Sequence, residues 1–206
     1  MTALLCLILI ASTASAASFD CAKAATAVEK AVCASPRLSA LDDELAAAYR
    51  GSNDREAQLR WIHDERDACE SDTECIEGAY LVRIAELRLA RHTFARSKPP
   101  ASIIGRYAEN DDYIDVARAR GNQLVVKSEV SFPPSEHICS FEASPAEWVS
   151  NELRVAIFVP EMDGKCVLLL RFENGKVSTA DAGNRCREML CGARGGYSYV
   201  VLPIVK

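Results

Sequence analysis

The sequence predicts an α+β protein, in which an N-terminal disulfide-stapled helical hairpin module is followed by a C-terminal antiparallel β-barrel or sandwich module. Three observations predict it. Eight cysteines follow the first sixteen or so residues in two groups of four: Cys21, Cys33, Cys69 and Cys75, then Cys139, Cys166, Cys186 and Cys191. Composition changes at Ser97-Lys98-Pro99-Pro100, from Ala, Leu, Glu and Arg to Val, Ile, Phe, Gly and Pro. Apolar residues recur at helical spacing before that point and in short β-rich runs after it.

The expected order of parts is a signal peptide over 1–17, a four-cysteine helical domain over 18–96, a linker over 97–102 and a β domain over 103–206. Leu4, Leu5, Leu7, Ile8, Leu9 and Ile10 form an apolar stretch too short to span a bilayer, and Ala14-Ser15-Ala16 supplies the small residues a signal peptidase requires. Paired cysteines persist in oxidising compartments, so a periplasmic or secreted location is expected. Cys6 leaves with the signal. Cys21 follows Phe19-Asp20 rather than the small residues of a lipoprotein signal, and no transmembrane anchor is expected. The formal net charge of -5 favours basic partners over nucleic acid or anionic membrane.

In the first half, Ala22 to Cys33 contains good helix formers. Ser35-Pro36 then places a capping hydroxyl before a proline at a first helical position, and Leu38, Leu41, Leu45 and Tyr49 continue an apolar stripe. Gly51-Ser52-Asn53-Asp54 marks a turn, Leu59 and Ile62 carry the pattern to Cys69, and Ser71-Asp72 restarts a helix with Ile76, Tyr80, Ile84 and Leu87. Two equal antiparallel helices would return Cys69 to the level of Cys33. That makes Cys33–Cys69 the preferred bridge and leaves Cys21 with Cys75, although four cysteines permit three connectivities.

Phe19-Asp20-Cys21, Ala31-Val32-Cys33, the run from Ser39 to Tyr49 and the run from Gln58 to Cys69 together resemble the LprI-type lysozyme-inhibitor domain, over about residues 19 to 90. Against that pattern the turn after Tyr49 reads as short and the spacing from Trp61 to Arg66 carries one extra residue. The resemblance implies a small exported bacterial domain with the same four-cysteine framework that inhibits lysozyme.

In the second half, seven β-rich runs are separated by Gly, Pro, Asn and Asp: Tyr113 to Val116, Leu124 to Val130, Ile138 to Ala143, Leu153 to Val159, Cys166 to Phe172, Lys176 to Thr179 and Tyr197 to Val205. Asn174-Gly175 suits a tight primed hairpin turn. Cys139 and Cys166 lie in predicted strands and are expected to pair across the sheet, with Cys186 joined to Cys191. The run from Cys186 to Arg194 with Gly196-Tyr197, and Ile104-Gly105-Arg106-Tyr107, resemble a small β-barrel domain found after LprI-type domains.

No catalytic, cofactor-binding or metal-ligating residue is assigned, no cofactor is implied, and an enzyme is not expected. His63-Asp64-Glu65 is the most suggestive cluster, but adjacent residues on a helix diverge. His92 fits a helix C-terminus and His137 a strand surface. HExxH, GxSxG and phosphate-cradling motifs are missing from the sequence, as are CxxC pairs.

The acidic run Asp64, Glu65, Asp67, Glu70, Asp72, Glu74 and Glu77 reads either as a solvated face or as a steering surface for a basic lysozyme or other muramidase. Trp61 and Tyr80 read as core or as interface anchors. Asp64, Glu65, Glu70 and Glu74, with Glu188, Arg194 and Tyr197, are the candidate partner-binding residues, although Met189 and Tyr197 equally suit the base of the last loop. The expected function is occlusion of a lysozyme's glycan-binding cleft. The alternative is a non-inhibitory envelope protein whose barrel binds a small apolar ligand or another envelope protein.

Overall fold

A computed structural model describes residues 17–205 except 53, 94–96, 120–122, 133–136, 161–163 and 193–194. The expected signal segment over 1–16 lies outside the described residues. Helix α1 (Ala27–Ala34) begins where Thr26 and Glu29 form a reciprocal capping box, later than the run of helix formers suggested. Helix α2 (Pro36–Tyr49) starts at the predicted Ser35 cap and buries Leu38, Leu41 and Leu45. Helix α3 (Arg55–Trp61) is short and passes into a π-turn over Ile62–Arg66 and a 3-10 turn over Asp67–Cys69. Helix α4 (Thr73–Ala90) is capped by Asp72 and is the helix that packs along α2.

The second half is a single antiparallel sheet of eight strands in sequence order: β1 (Gly105–Glu109), β2 (Asp112–Arg118), β3 (Leu124–Phe132), β4 (His137–Val149), β5 (Glu152–Val159), β6 (Gly164–Glu173), β7 (Lys176–Asp181) and β8 (Val201–Pro203). The meander nearly closes: Tyr107 bridges Ile204, and the Val205 N–H donates to the Arg106 carbonyl at 2.8 Å. It is a barrel, then, not a sandwich. The predicted turn at Asn174-Gly175 has φ of 52° and 73°, the positive angles a primed hairpin requires. The strand missed from sequence is β1. The barrel interior is filled by Tyr107, Ile114, Leu124, Val126, Leu153, Val155, Leu168 and Leu170 among others.

Strand β6 is apolar on both faces because α4 covers its outside. Val167 and Leu169 join the helical core of Val32, Leu41, Leu45, Trp61, Tyr80 and Ile84, while Leu168 and Leu170 face the barrel. Around this contact runs an ionic belt. Arg154 of β5 holds Glu44 of α2, Arg88 of α4 bridges Glu44 and Glu147, and Arg37 of α2 joins Glu77 to Glu152. Of the residues expected as a linker, Pro99 is buried and Ser97, Lys98, Pro100, Ala101 and Ser102 are exposed; Ile103, the first residue after it, belongs to the barrel core.

All eight cysteines pair, with none of the expected partners. The bonds are Cys21–Cys33, Cys69–Cys75, Cys139–Cys191 and Cys166–Cys186. Cys33 does not meet Cys69 because α4, rather than α3, lies along α2; Cys69 instead closes the turn into α4. Cys139 cannot cross to Cys166 on an adjacent strand, since β5 stands between β4 and β6. Cys186 and Cys191 lie on and just after helix α5 (Arg185–Leu190). Five residues at 100° each place them about 140° apart around the axis, so each reaches a different strand.

Candidate partner-binding site

One end of the molecule is built by the start of α4 and by α5. Asp72 accepts the N–H groups of Glu74 and Cys75, both at 3.0 Å, and the Cys69–Cys75 bond closes the preceding turn. Glu74 and Glu77 are thereby fixed on the first turns of α4. Gly78 permits the next contact, because a Cβ there would stand 2.7 Å from the Ala182 carbonyl oxygen. Bare backbone lets α4 rest on the 3-10 turn Ala182–Asn184, which leads directly into α5.

The carboxylate of Asp181 accepts the N–H groups of Cys186 and Arg187 at 3.0 and 2.8 Å, holding the start of α5. Burial pushes the Asp181 carboxyl above its ordinary range, and these two hydrogen bonds oppose that shift. The disulfides then fasten α5 to β6 through Cys166–Cys186 and to β4 through Cys139–Cys191. Between α4, α5 and the outer face of β6 and β7 lies a groove of about 390 Å³, with Glu74, Arg171, Asp181, Arg187 and Tyr199 among its walls.

Tyr199 is 91% exposed, the most exposed of the large apolar side chains described. Its φ is +71°, a region that a bulky residue rarely enters. The cause lies opposite, on β7: Thr179 accepts the Tyr199 N–H at 3.2 Å and donates its own N–H to the Val200 carbonyl at 3.0 Å. Two residues thus face one, which is a β-bulge, and Tyr199 occupies the left-handed position where glycine is usual. The buried Thr179 hydroxyl also donates to the Tyr197 carbonyl. The bulge aims the phenol ring into solvent beside the groove.

The predicted site residues divide. Glu74 forms part of the groove wall. Glu65 accepts from Arg185 at 3.3 Å, which ties the acidic run to the first residue of α5. Asp64 is exposed and bound to His63 at 2.6 Å, and its carboxylate raises the His63 pKa. Glu70 is exposed in a left-handed turn, and Glu188 stands exposed on α5 beside a second open groove with Asn184 and Arg187. Arg194 lies outside the described residues. Tyr197 is a correction: it is fully buried, donates its hydroxyl to the Cys139 carbonyl at 2.9 Å and offers no surface to a partner.

Trp61 and Tyr80 take the core reading, meeting edge to face at 5.5 Å. Met189 packs at the base of its loop, against Gly164. Sequence reasoning missed Tyr199 because strict strand alternation assigns it to the same face as Tyr197. The Gly195-Gly196 pair just before was the available signal of irregular backbone.

A second cavity, between α4 and the barrel, is lined by Leu81, Ile84, Arg88, Ala156 and Val167. Its free volume of about 20 Å³ admits a single water. No helix among the described residues is long and apolar enough to cross a membrane.

No family model matches the chain, and no solved structure matches it. Among curated proteins, Lipoprotein LprI of Mycobacterium bovis and Lipoprotein LprI of two strains of Mycobacterium tuberculosis are each 36% identical to it over 135 residues. The matched region covers 55% of this chain and 67% of each relative.

Proposed function

The chain belongs to the LprI family, and on that premise we propose that it is a periplasmic inhibitor that binds a basic lysozyme or related muramidase and occludes its glycan-binding cleft. The observation that carries this reading is Tyr199, an exposed aromatic held by a strained bulge at the end of the molecule where the acidic run meets α5. Strain of this kind is retained where it serves a contact, and aromatic side chains beside charged rims are frequent anchors of protein interfaces. Glu74 and the acidic run would draw a basic enzyme toward that end.

Cys21 bonds to Cys33, which removes it as an attachment point for a lipid. Four disulfides and relatives named as lipoproteins fit an extracellular or envelope protein. The filled barrel interior gives less support to the alternative in which the barrel holds a small apolar ligand.

The test is a lysozyme turbidity assay with the oxidised protein against animal-, goose- and invertebrate-type enzymes. Stoichiometric inhibition of one class, weakened roughly tenfold or more by Tyr199→Gly, is the expected outcome. Glycine suits the left-handed position, so this variant should fold at least as stably as the parent. Inhibition of none of the enzymes by the unaltered protein rejects the reading.

A further inference from the structure

Asp42 of α2 is only 6% exposed, yet three neutral groups are the hydrogen-bond donors that reach its carboxylate. The Ser18 N–H and hydroxyl reach Oδ2 at 2.7 and 2.6 Å, and the Tyr80 hydroxyl reaches Oδ1 at 2.8 Å. Among the described residues Asp42 forms no ion pair; Arg66 pairs with Asp67 and interacts with the Tyr80 phenol. A buried carboxylate without a cation is costly, and proteins rarely leave one so.

Position in the chain supplies a cation. The donor at 2.7 Å is the backbone nitrogen of Ser18, and it follows Ser15-Ala16-Ala17, whose small side chains stand where a signal peptidase requires them relative to the Ala17–Ser18 bond. Ser18 itself is exposed, so an amine there keeps water on one side while pointing at Asp42 on the other.

We infer that the Ala17–Ser18 bond is the processing site and that the new α-ammonium of Ser18 forms a partly buried ion pair with Asp42. Water adds across the bond: Ala17 leaves with a carboxylate, and Ser18 keeps the nitrogen and takes up a proton to become –NH₃⁺. Before cleavage the same nitrogen offers one neutral N–H. After cleavage it offers a charge in the same place, while Ala17, which packs in the helical core, leaves with the leader.

The experiment has two arms. The full chain is exported and its mass measured, with Ser18 expected as the first residue; a mature chain beginning elsewhere overturns the inference. Urea unfolding then compares a chain beginning at Ser18 with one beginning at Ala16, each with and without Asp42→Asn. With Asp42 present, the two extra residues should raise the unfolding constant on the order of tenfold. In the Asp42→Asn background, where the carboxylate charge is gone, the two lengths should behave alike. Equal stability of both lengths in the Asp42 background overturns the proposal. Should Asp42→Asn fail to fold, acetylation of the Ser18 amine replaces it: the acetylated chain must match the extended one, and parity with the free amine counts against the pair.

Discussion

The Arg154 guanidinium of β5 places Nη1 2.8 and 2.9 Å from the two oxygens of Glu44 on α2, joining the barrel to the helical layer through a pair that is largely out of water. Glu44 belongs to the Leu41-Asp42-Asp43-Glu44-Leu45 run by which the chain resembles its family. The run therefore packs with its leucines, ties Ser18 and Tyr80 through Asp42 and grips the barrel through Glu44.

Removing Arg154 takes one of its cations from each of two carboxylates: Glu44 keeps Arg88, and Glu152, which accepts from Arg154 at 3.1 Å, keeps Arg37. Arg154→Ala should lower stability by about 2 kcal/mol, less than the roughly 3 to 5 kcal/mol of a buried charge left with no partner. Urea unfolding measures it. Arg154→Met combined with Glu44→Gln should recover part of the loss; a single variant within about 0.5 kcal/mol of the parent, the scale of an ordinary surface substitution, would show the pair to be incidental.

If the acidic run steers a basic enzyme, replacing Asp64, Glu65, Glu70 and Glu74 with amides should slow association and flatten its dependence on salt, leaving dissociation nearly unchanged. Stopped-flow association at several ionic strengths separates these outcomes. An unaltered salt slope would sink the steering role.

Burial raises the phenol pKa of both Tyr80 and Tyr197, and for Tyr80 the neighbouring Asp42 raises it further. The folded protein therefore keeps protons that the unfolded chain releases near the ordinary tyrosine value of about 10. More protons bound by the folded state means stability that is present below that pH and falls as pH rises through and beyond it. Phenolate absorbance should show Tyr80 and Tyr197 titrating only as the protein unfolds, with Tyr107, also raised by burial, delayed too, and Tyr197→Phe should make the alkaline fall shallower.

Loop length orders the disulfides. Cys139–Cys191 closes 52 residues and Cys69–Cys75 closes 6. On chain entropy alone, losing the first should cost about 4 kcal/mol and losing the second about 2 kcal/mol. Paired Cys→Ala variants compared by urea unfolding test this ranking, and a larger loss from the Cys69–Cys75 pair would place the effect in the turn that positions Glu74.

What sequence revealed of the fold was what local rules control. Caps at Ser35 and Asp72, the stripe of Leu38, Leu41 and Leu45, the Asn174-Gly175 turn and the runs of β-branched residues all act over a few neighbours. The long spacing from Trp61 to Arg66 has its counterpart in the π-turn over Ile62–Arg66, where each wider turn takes up one more residue than an α-turn. Cysteine partners were not legible, because they follow from which helix lies on α2 and which strands flank β5. Nor was the exposure of Tyr199, which depends on the distant Thr179 bonding two successive residues of the last segment.

The pattern of the four bonds bears on how the chain matures. The N-terminal pairs are consecutive, Cys21 with Cys33 and then Cys69 with Cys75, so in a chain exported as proposed, oxidation in order of emergence from a translocation pore would yield them directly. The C-terminal pairs are nested, with Cys166–Cys186 inside Cys139–Cys191. The same first-come rule joins Cys139 to Cys166, a bond the barrel does not contain. Native pairing there would await the last two cysteines or proceed by thiol–disulfide exchange, so on the proposed export route any dependence on an isomerase would fall on the C-terminal half of the chain.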